Sequence, residues 1–176
     1  MRLFAARHGQ TQWNVENKIC GTTDLPLTDE GWAQAKALAE KTVDLELDLI
    51  ICSTMLRAKQ TASAVAEKLN IPVIEDARLV EQNYGIYEGM DRKTAGFLEN
   101  KRHFAVRYPG GESMMDVAHR IYGLLEDVKR EYDGKNVLLV CHGGVLRLVR
   151  SYFEPMTNEE YFHYSPGNAD IREYEL

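Results

Sequence analysis

The sequence lacks any apolar run long enough to cross a bilayer. The run behind Arg2 covers only Leu3 to Ala6, too short for the core of a secretory leader, and no small-residue cleavage pattern follows it. Cysteine is scarce: three in 176 residues, an odd number, widely spaced and without a C-x-x-C pair. That excludes a disulfide framework, argues against a zinc knuckle, and points to a reducing, cytoplasmic compartment. A basic excess is lacking too. Lys and Arg number 21 against 27 Asp and Glu, for a net charge of -6. A general nucleic-acid surface would want a basic face. A local basic pocket for a small anion is still allowed, because focusing depends on where charges sit. There is no repeat, low-complexity tract or linker, and the length fits one domain over residues 1–176 with a core of its own.

What is there alternates strand and helix patterns. Residues 2–6 read as a strand and 29–41 as a helix, with Thr28 as N-cap and Asp29 and Glu30 suiting the positive end of its dipole. Residues 48–52 (DLIIC) read as a second buried strand and the alanine-rich 55–69 as a helix. Pro72 permits a short strand at 73–75. Over 113–131, Val117, Ile121, Leu124, Leu125 and Val128 share one helical face behind a possible Ser113 cap. GKNVLLVC is a third buried strand entered through an Asp133–Gly134 turn, 145–153 a helix and 169–175 a last strand. Continuous apolar strands between helices imply an α/β fold, a three-layer α/β/α sandwich on a mostly parallel sheet.

Ligands of such sheets bind outside the carboxyl ends of the strands. The first strand ends in Arg7-His8-Gly9, the second leads through Ser53 to Arg57, and the third ends in Cys141-His142-Gly143-Gly144. Two histidines from distant parts of the chain therefore reach one edge. Metal ligation does not fit them: there is no H-x-H or H-E-x-x-H, and no carboxylate stands beside either. An arginine precedes His8 instead, and its charge disfavours the imidazolium. A neutral imidazole among arginines suits attack on an anionic electrophile, and a phosphoryl group matches the guanidinium fork. The leaving oxygen needs an acid, and LVEQNYGIYEG offers both Glu81 and Glu88; spacing does not choose between them. Glu112, in PGGES, reads as a helix-start residue, Tyr84, Tyr87 and Trp13 as packing, and Cys141 as a small core side chain.

Nearly end to end, the chain resembles the histidine phosphatase superfamily, in its phosphoglycerate-mutase-like branch. RHGQTQWN resembles R-H-G-[EQ]-[ST]-x-x-N, and DLPLTDEGWAQA resembles D-x-P-L-[ST]-x-x-G-x-x-Q-A. STMLRAKQTA resembles S-P-L-x-R-A-x-x-T-A, departing at Thr54 and Met55. LVEQNYGIYEG, PGGES and VCHGG match three later segments. The resemblance implies that His8 is the nucleophile that forms a phosphohistidine. Arg7, Arg57 and His142 complete the phosphoryl pocket, and Glu81 is the proton donor. It further implies that Asn14 binds phosphate oxygen, that Gly143 offers a backbone N–H, and that Gly21 and Cys20 contact substrate, Cys20 standing where Ser or Thr is common. Neither a metal nor another cofactor is implied.

Within that family a phosphohistidine either meets water or returns its phosphoryl group to a retained substrate. The short insertion, residues 90–109, and the short tail favour a phosphatase of small phosphorylated metabolites over a cofactor-dependent phosphoglycerate mutase. The resemblance is also compatible with a phosphoprotein phosphatase and with a regulatory phosphate-binding module. From Asp91 to Arg107 there are five basic and two acidic residues, +3 in a protein of net -6. Either this is a solvated helix face, or the cap supplies a cation for a second anion on the substrate, with Arg102 and Arg107 as its test positions.

Overall fold

The computed structural model describes residues 2–175. Strands β1 (Arg2–Arg7), β2 (Leu49–Cys52), β3 (Val73–Glu75), β4 (Val137–Cys141) and β5 (Ile171–Glu175) form one sheet in the order β3-β2-β4-β1-β5. The first four are parallel, and β5 runs antiparallel along the free edge of β1. Residue alternation sorts the core into two layers. Leu3, Ala5, Leu49, Ile51, Val137, Leu139 and Cys141 face the helices α5 (Met114–Glu131) and α6 (Gly143–Phe153). Phe4, Ala6, Ile50, Cys52, Leu138 and Val140 face α2 (Asp29–Lys41) and α3 (Leu56–Leu69). The result is the three-layer α/β/α arrangement expected from the sequence.

Local chemistry sets the boundaries. The Thr28 side chain accepts the Gly31 N–H at the start of α2, and Ser113 with Asp116 forms a capping box on α5. Helix α3 ends at Asn70, in the left-handed conformation. Three short helices were not legible as helices: α1 (Gln12–Val15), α4 (Ala95–Asn100) and α7 (Asn158–His163). For α7 the signal was present, since Thr157 and Glu160 form a capping box. Helix α6 starts two residues earlier than expected, at Gly143, with His142 as its N-cap residue. Strand β5 starts two residues later: Ala169 is left-handed (φ 58°) and interrupts the ladder, and its N–H donates to the Arg7 carbonyl. Among the described residues no helix is long and apolar enough to cross a membrane.

Residues 90–109 lie over the carboxyl edge of the sheet. The segment is tied at its start to the loop after α1, where the Ile19 N–H donates to the Met90 carbonyl and the Arg92 N–H to that of Asn17. Ile19, Phe97 of α4 and Tyr108 form a separate apolar cluster with Tyr84 and Tyr87. Phe97 and Tyr108 stack at 5.5 Å, and Tyr84 meets both rings edge-on.

Candidate active site

Register brings the two histidines together. β1 and β4 are neighbours with Arg7 opposite Cys141, so His8 and His142 leave the sheet side by side. Their ring centroids are 5.1 Å apart. The His8 N–H donates to the Cys141 carbonyl at 3.0 Å, which joins the two strand ends beyond the ladder. On the other side, Asn168 Nδ2 donates to the His8 carbonyl at 3.0 Å.

His8 is 5% exposed and His142 is fully buried. Both imidazoles are held well below their ordinary pKa, first by burial and next by the Arg57 guanidinium, with Arg7 adding to the effect. Both rings are therefore neutral at pH 7. In His8, Nδ1 lies 2.7 Å from the Gly9 carbonyl oxygen. A carbonyl only accepts, so Nδ1 carries the proton and Nε2 keeps its lone pair. In His142, Nε2 is 2.8 Å from Ser53 Oγ, and Nδ1 has no partner.

Arg57 is fully buried at the first turn of α3. Its Nη2 donates to the Gly21 carbonyl at 2.7 Å and its Nη1 to that of Thr23 at 2.9 Å; its Nε is unpaired. Arg7 donates through Nη1 to the Pro166 carbonyl, and its Nε is also unpaired. Burial, with the like charge of Arg92 adding to it, lowers the Arg7 pKa to about 10. Arg7, Arg57 and His142 thus each keep a buried nitrogen without a protein partner near His8, and of the three only Arg7 lines the cleft above. Leaving such groups unmet costs about 1–3 kcal/mol each, so their arrangement calls for an acceptor.

Above them opens a cleft of ≈110 Å³, lined by His8, Arg7, Asn14, Cys20, Glu81 and Gly143 among others. The geometry separates the two glutamates. Glu81 faces the cleft, with Oε2 accepting the Gly144 N–H at 2.9 Å and Oε1 that of Gln82 at 2.9 Å. Glu88 is committed to the loop below, accepting from the N–H groups of Gly21, Thr22 and Thr23 and the Thr23 hydroxyl. At Gly144 a Cβ would run into the Glu81 carboxylate, so the second glycine of the HGG run is what lets the acid approach α6. The Asn14 Oδ1 accepts from Thr11 N–H, the Thr11 hydroxyl and Asn168 Nδ2, which leaves its own NH₂ as the end free to donate.

Four expectations change. Gly21 does not line the cleft; its peptide is spent on Glu88 and Arg57, so it builds the floor from beneath. Tyr84 does line it, besides packing in the aromatic cluster, and burial raises its pKa well above the ordinary value. Arg102 and Arg107 do not line it: Arg102 is exposed, and Arg107 makes a two-pronged pair with Asp116 at 2.8 and 3.0 Å. The cap cations on the cleft are instead Arg92 and Lys101, joined by Arg147 of α6. Last, Glu112 is more than a helix-start residue, since it pairs with Arg120. Sequence reading missed Arg147, although its place one turn after Gly143 and Gly144 at the start of α6 was a signal. Among the described residues none of Arg92, Lys101 and Arg147 forms an ion pair with a carboxylate. Burial, with Arg147 and Arg92 nearby, lowers the Lys101 pKa to about 8. Burial also raises that of Cys20, keeping it a thiol.

Comparison with known proteins agrees with this geometry. Residues 3–176 match the family model of the histidine phosphatase superfamily (branch 1). A protein from Bacillus subtilis described as the uncharacterized phosphatase PhoE is 36% identical over 142 residues, which cover 80% of this chain and 70% of the relative. The 2,3-bisphosphoglycerate-dependent phosphoglycerate mutase 2 of Gloeobacter violaceus is 34% identical over 170 residues, covering 90% of this chain and 78% of the mutase. A mycobacterial glucosyl-3-phosphoglycerate phosphatase solved with VO3 superposes with a TM-score of 0.87 at 31% identity, covering 98% of this chain and 91% of that one. With its paired strand-end histidines and their arginines, this chain belongs to the histidine phosphatase superfamily.

Proposed function

We propose that the protein hydrolyses a phosphate monoester of a small metabolite through a phosphohistidine on His8. The observation that carries this reading is the set of unpaired buried nitrogens on Arg7, Arg57 and His142 beside a neutral His8. A phosphoryl group supplies the acceptors they lack, and its charge offsets the two guanidiniums. The Gly143 N–H, first in α6, and the Asn14 NH₂ suit the same oxygens. His8 Nε2 attacks phosphorus, the bond from phosphorus to the alcohol oxygen breaks, and the Glu81 carboxyl gives that oxygen its proton. In the second half, water attacks the phosphorus, the N–P bond breaks, and the Glu81 carboxylate takes a proton from the water. His8 returns neutral with its Nδ1 proton on Gly9, as it began.

In this reading Arg92, Lys101 and Arg147 receive a second anionic group of the substrate, a carboxylate or another phosphate. Residues 90–109 act as the cap, and its single six-residue helix supports hydrolysis over transfer back to a retained substrate. The mutase reading rests on the Gloeobacter relative.

The test is phosphate release from a panel of phosphometabolites in EDTA, with a His8→Ala control and alkali-quenched samples assayed for phosphohistidine. Turnover of one or a few compounds, an acid-labile phosphoenzyme, and loss of both in the variant are expected. The loss in rate should be on the order of 10⁴-fold or more. Interconversion of 2- and 3-phosphoglycerate without net phosphate release would replace hydrolysis by mutase chemistry. Binding of orthophosphate without turnover of any compound would leave a phosphate-binding module.

A further inference from the structure

The pair between Glu112 and Arg120 is only partly exposed (29% and 18% of the two side chains), and it does not touch the cleft. Its contacts converge instead on the peptide that carries Glu81. Arg120, two turns into α5, donates through Nη1 to the Arg78 carbonyl and through Nη2 to the Glu81 carbonyl, the latter at 3.4 Å. Its Nε and Nη2 also reach the two Glu112 oxygens, both at 3.2 Å. Glu112 then closes the circuit from the far side. Its Oε2 accepts the Asn83 N–H at 2.9 Å, and its own N–H donates to the Asn83 carbonyl at 2.9 Å. Gln82 Nε2 donates to the Glu112 carbonyl at 3.2 Å. Residues 78, 81, 82 and 83 are all held by one ion pair and its backbone.

We propose that Arg120 and Glu112 are positioning residues that fix the Glu81 carboxyl at the height of the leaving oxygen. The inference rests on Glu81 being the proton donor. The Glu81 carboxylate takes its direction from the Gly144 and Gln82 N–H groups, but the origin of its side chain is set by the peptide that Arg120 grips. An isolated partly exposed ion pair contributes little to stability, so a role in stability alone does not account for a fork aimed at two carbonyls of one loop. Misplacing a catalytic group by about 1 Å can cost about 10²-fold.

Proton donation matters in proportion to the basicity of the leaving group, and that separates positioning from general structural damage. Phenyl phosphate leaves as a basic phenolate and needs the acid. 2,4-Dinitrophenyl phosphate leaves without it. Both are assayed by kcat/KM, which reports the steps through phosphorylation of His8. Arg120→Lys keeps a cation but not the fork, and Glu112→Gln keeps an acceptor for Asn83 but not the charge. Arg120→Lys should lower kcat/KM about 10²-fold on phenyl phosphate and under about 3-fold on the dinitrophenyl ester. Glu112→Gln should show the same selectivity with a smaller loss. Glu81→Gln is the reference and should show the largest selective loss.

If Glu81→Gln is selective while Arg120→Lys and Glu112→Gln lower both esters equally, or neither, the positioning role is overturned and Glu81 keeps its place. If Glu81→Gln itself lowers both equally, the proton-donor assignment fails and the positioning role goes with it. Melting temperature and orthophosphate binding, measured on each variant, identify one that has merely lost its fold. In that event Glu112→Asp, which keeps the charge and shortens the reach, gives the same reading.

Discussion

On the floor of the cleft, His8 and His142 stand one residue beyond paired strand positions, and every group around them is anchored to backbone. On the roof, Arg92 and Lys101 come from a segment held by backbone hydrogen bonds at its two ends, through Met90 and Arg92 at one and Phe104, Tyr108 and Pro109 at the other, and by a small aromatic cluster. The floor uses its charges in a fixed geometry with almost no exposure. The roof offers long, partly buried cationic side chains, of which Arg92 rests its Nε on the Lys18 carbonyl. The difference teaches a division of labour: the floor can define a reaction, whereas the roof can only bias which phosphate ester stays long enough to react.

The contrast would break most visibly at Arg57. Replacing it by Ala removes the proposed transition-state cation and strands the Gly21 and Thr23 carbonyls. Loss of kcat/KM by about 10³-fold and of stability by about 2–3 kcal/mol is expected. Steady-state kinetics and urea unfolding measure the two, and a loss of activity under tenfold would mean the floor is not what defines the reaction.

On the roof, Lys101→Ala should raise KM about tenfold for substrates with a second anionic group and leave phenyl phosphate nearly unchanged, since one charge-assisted contact is at stake. Arg107→Glu should not discriminate between the two substrate types. The wild-type KM for the doubly anionic substrate should also climb as pH rises past about 8, where Lys101 loses its proton. A pH-independent KM ratio between the two substrate types would remove Lys101 from substrate binding.

The smallest effect concerns stability toward acid. The His8 and His142 pKa values are lowered in the folded chain. The unfolded chain therefore takes up protons first, and ν_U exceeds ν_N as pH falls below about 6.5. Melting temperature should decline through that range and decline less steeply in a His142→Asn variant. Identical slopes would show that the floor histidines titrate alike in both states.

Much of the floor was legible because it obeys one-dimensional rules. Four-residue apolar runs ending in charged or imidazole groups mark strand ends, and alternating helices make the strands parallel. The neighbouring of β1 and β4 was not legible, because register is a property of the whole sheet. Spacing offered Glu81 and Glu88 as equals and only the family resemblance favoured Glu81; the physical distinction is that the N–H groups of residues 21–23 capture Glu88, a contact across more than sixty residues. The roof was read correctly as basic and wrongly in detail. The surplus of cations was plain in composition, but the pairing of Arg107 with Asp116 and the rotation of the short α4 decide which of them face inward.

The seat of the His8 loop has a further consequence. Gly9 and Gly31 meet backbone to backbone: a Cβ on Gly9 would fall on the Gly31 carbonyl, and one on Gly31 on the Gln10 carbonyl. The Gly9 N–H also donates to Thr61 Oγ1 at 3.0 Å, and the Thr28 N–H to the Gln10 carbonyl at 2.9 Å. Where Gly9 meets Gly31 no side chain lies between the loop and α2, while beside it the Thr28 hydroxyl and the Gln34 amide bind Gln10. His8, the proposed nucleophile, is thus indexed to the main chain of a helix, like a tool clamped to a machine bed. Drift by repacking is closed to it there, so under the proposed function substitutions accumulating in the cap would retune the choice of ester while the point of attack stays where it is.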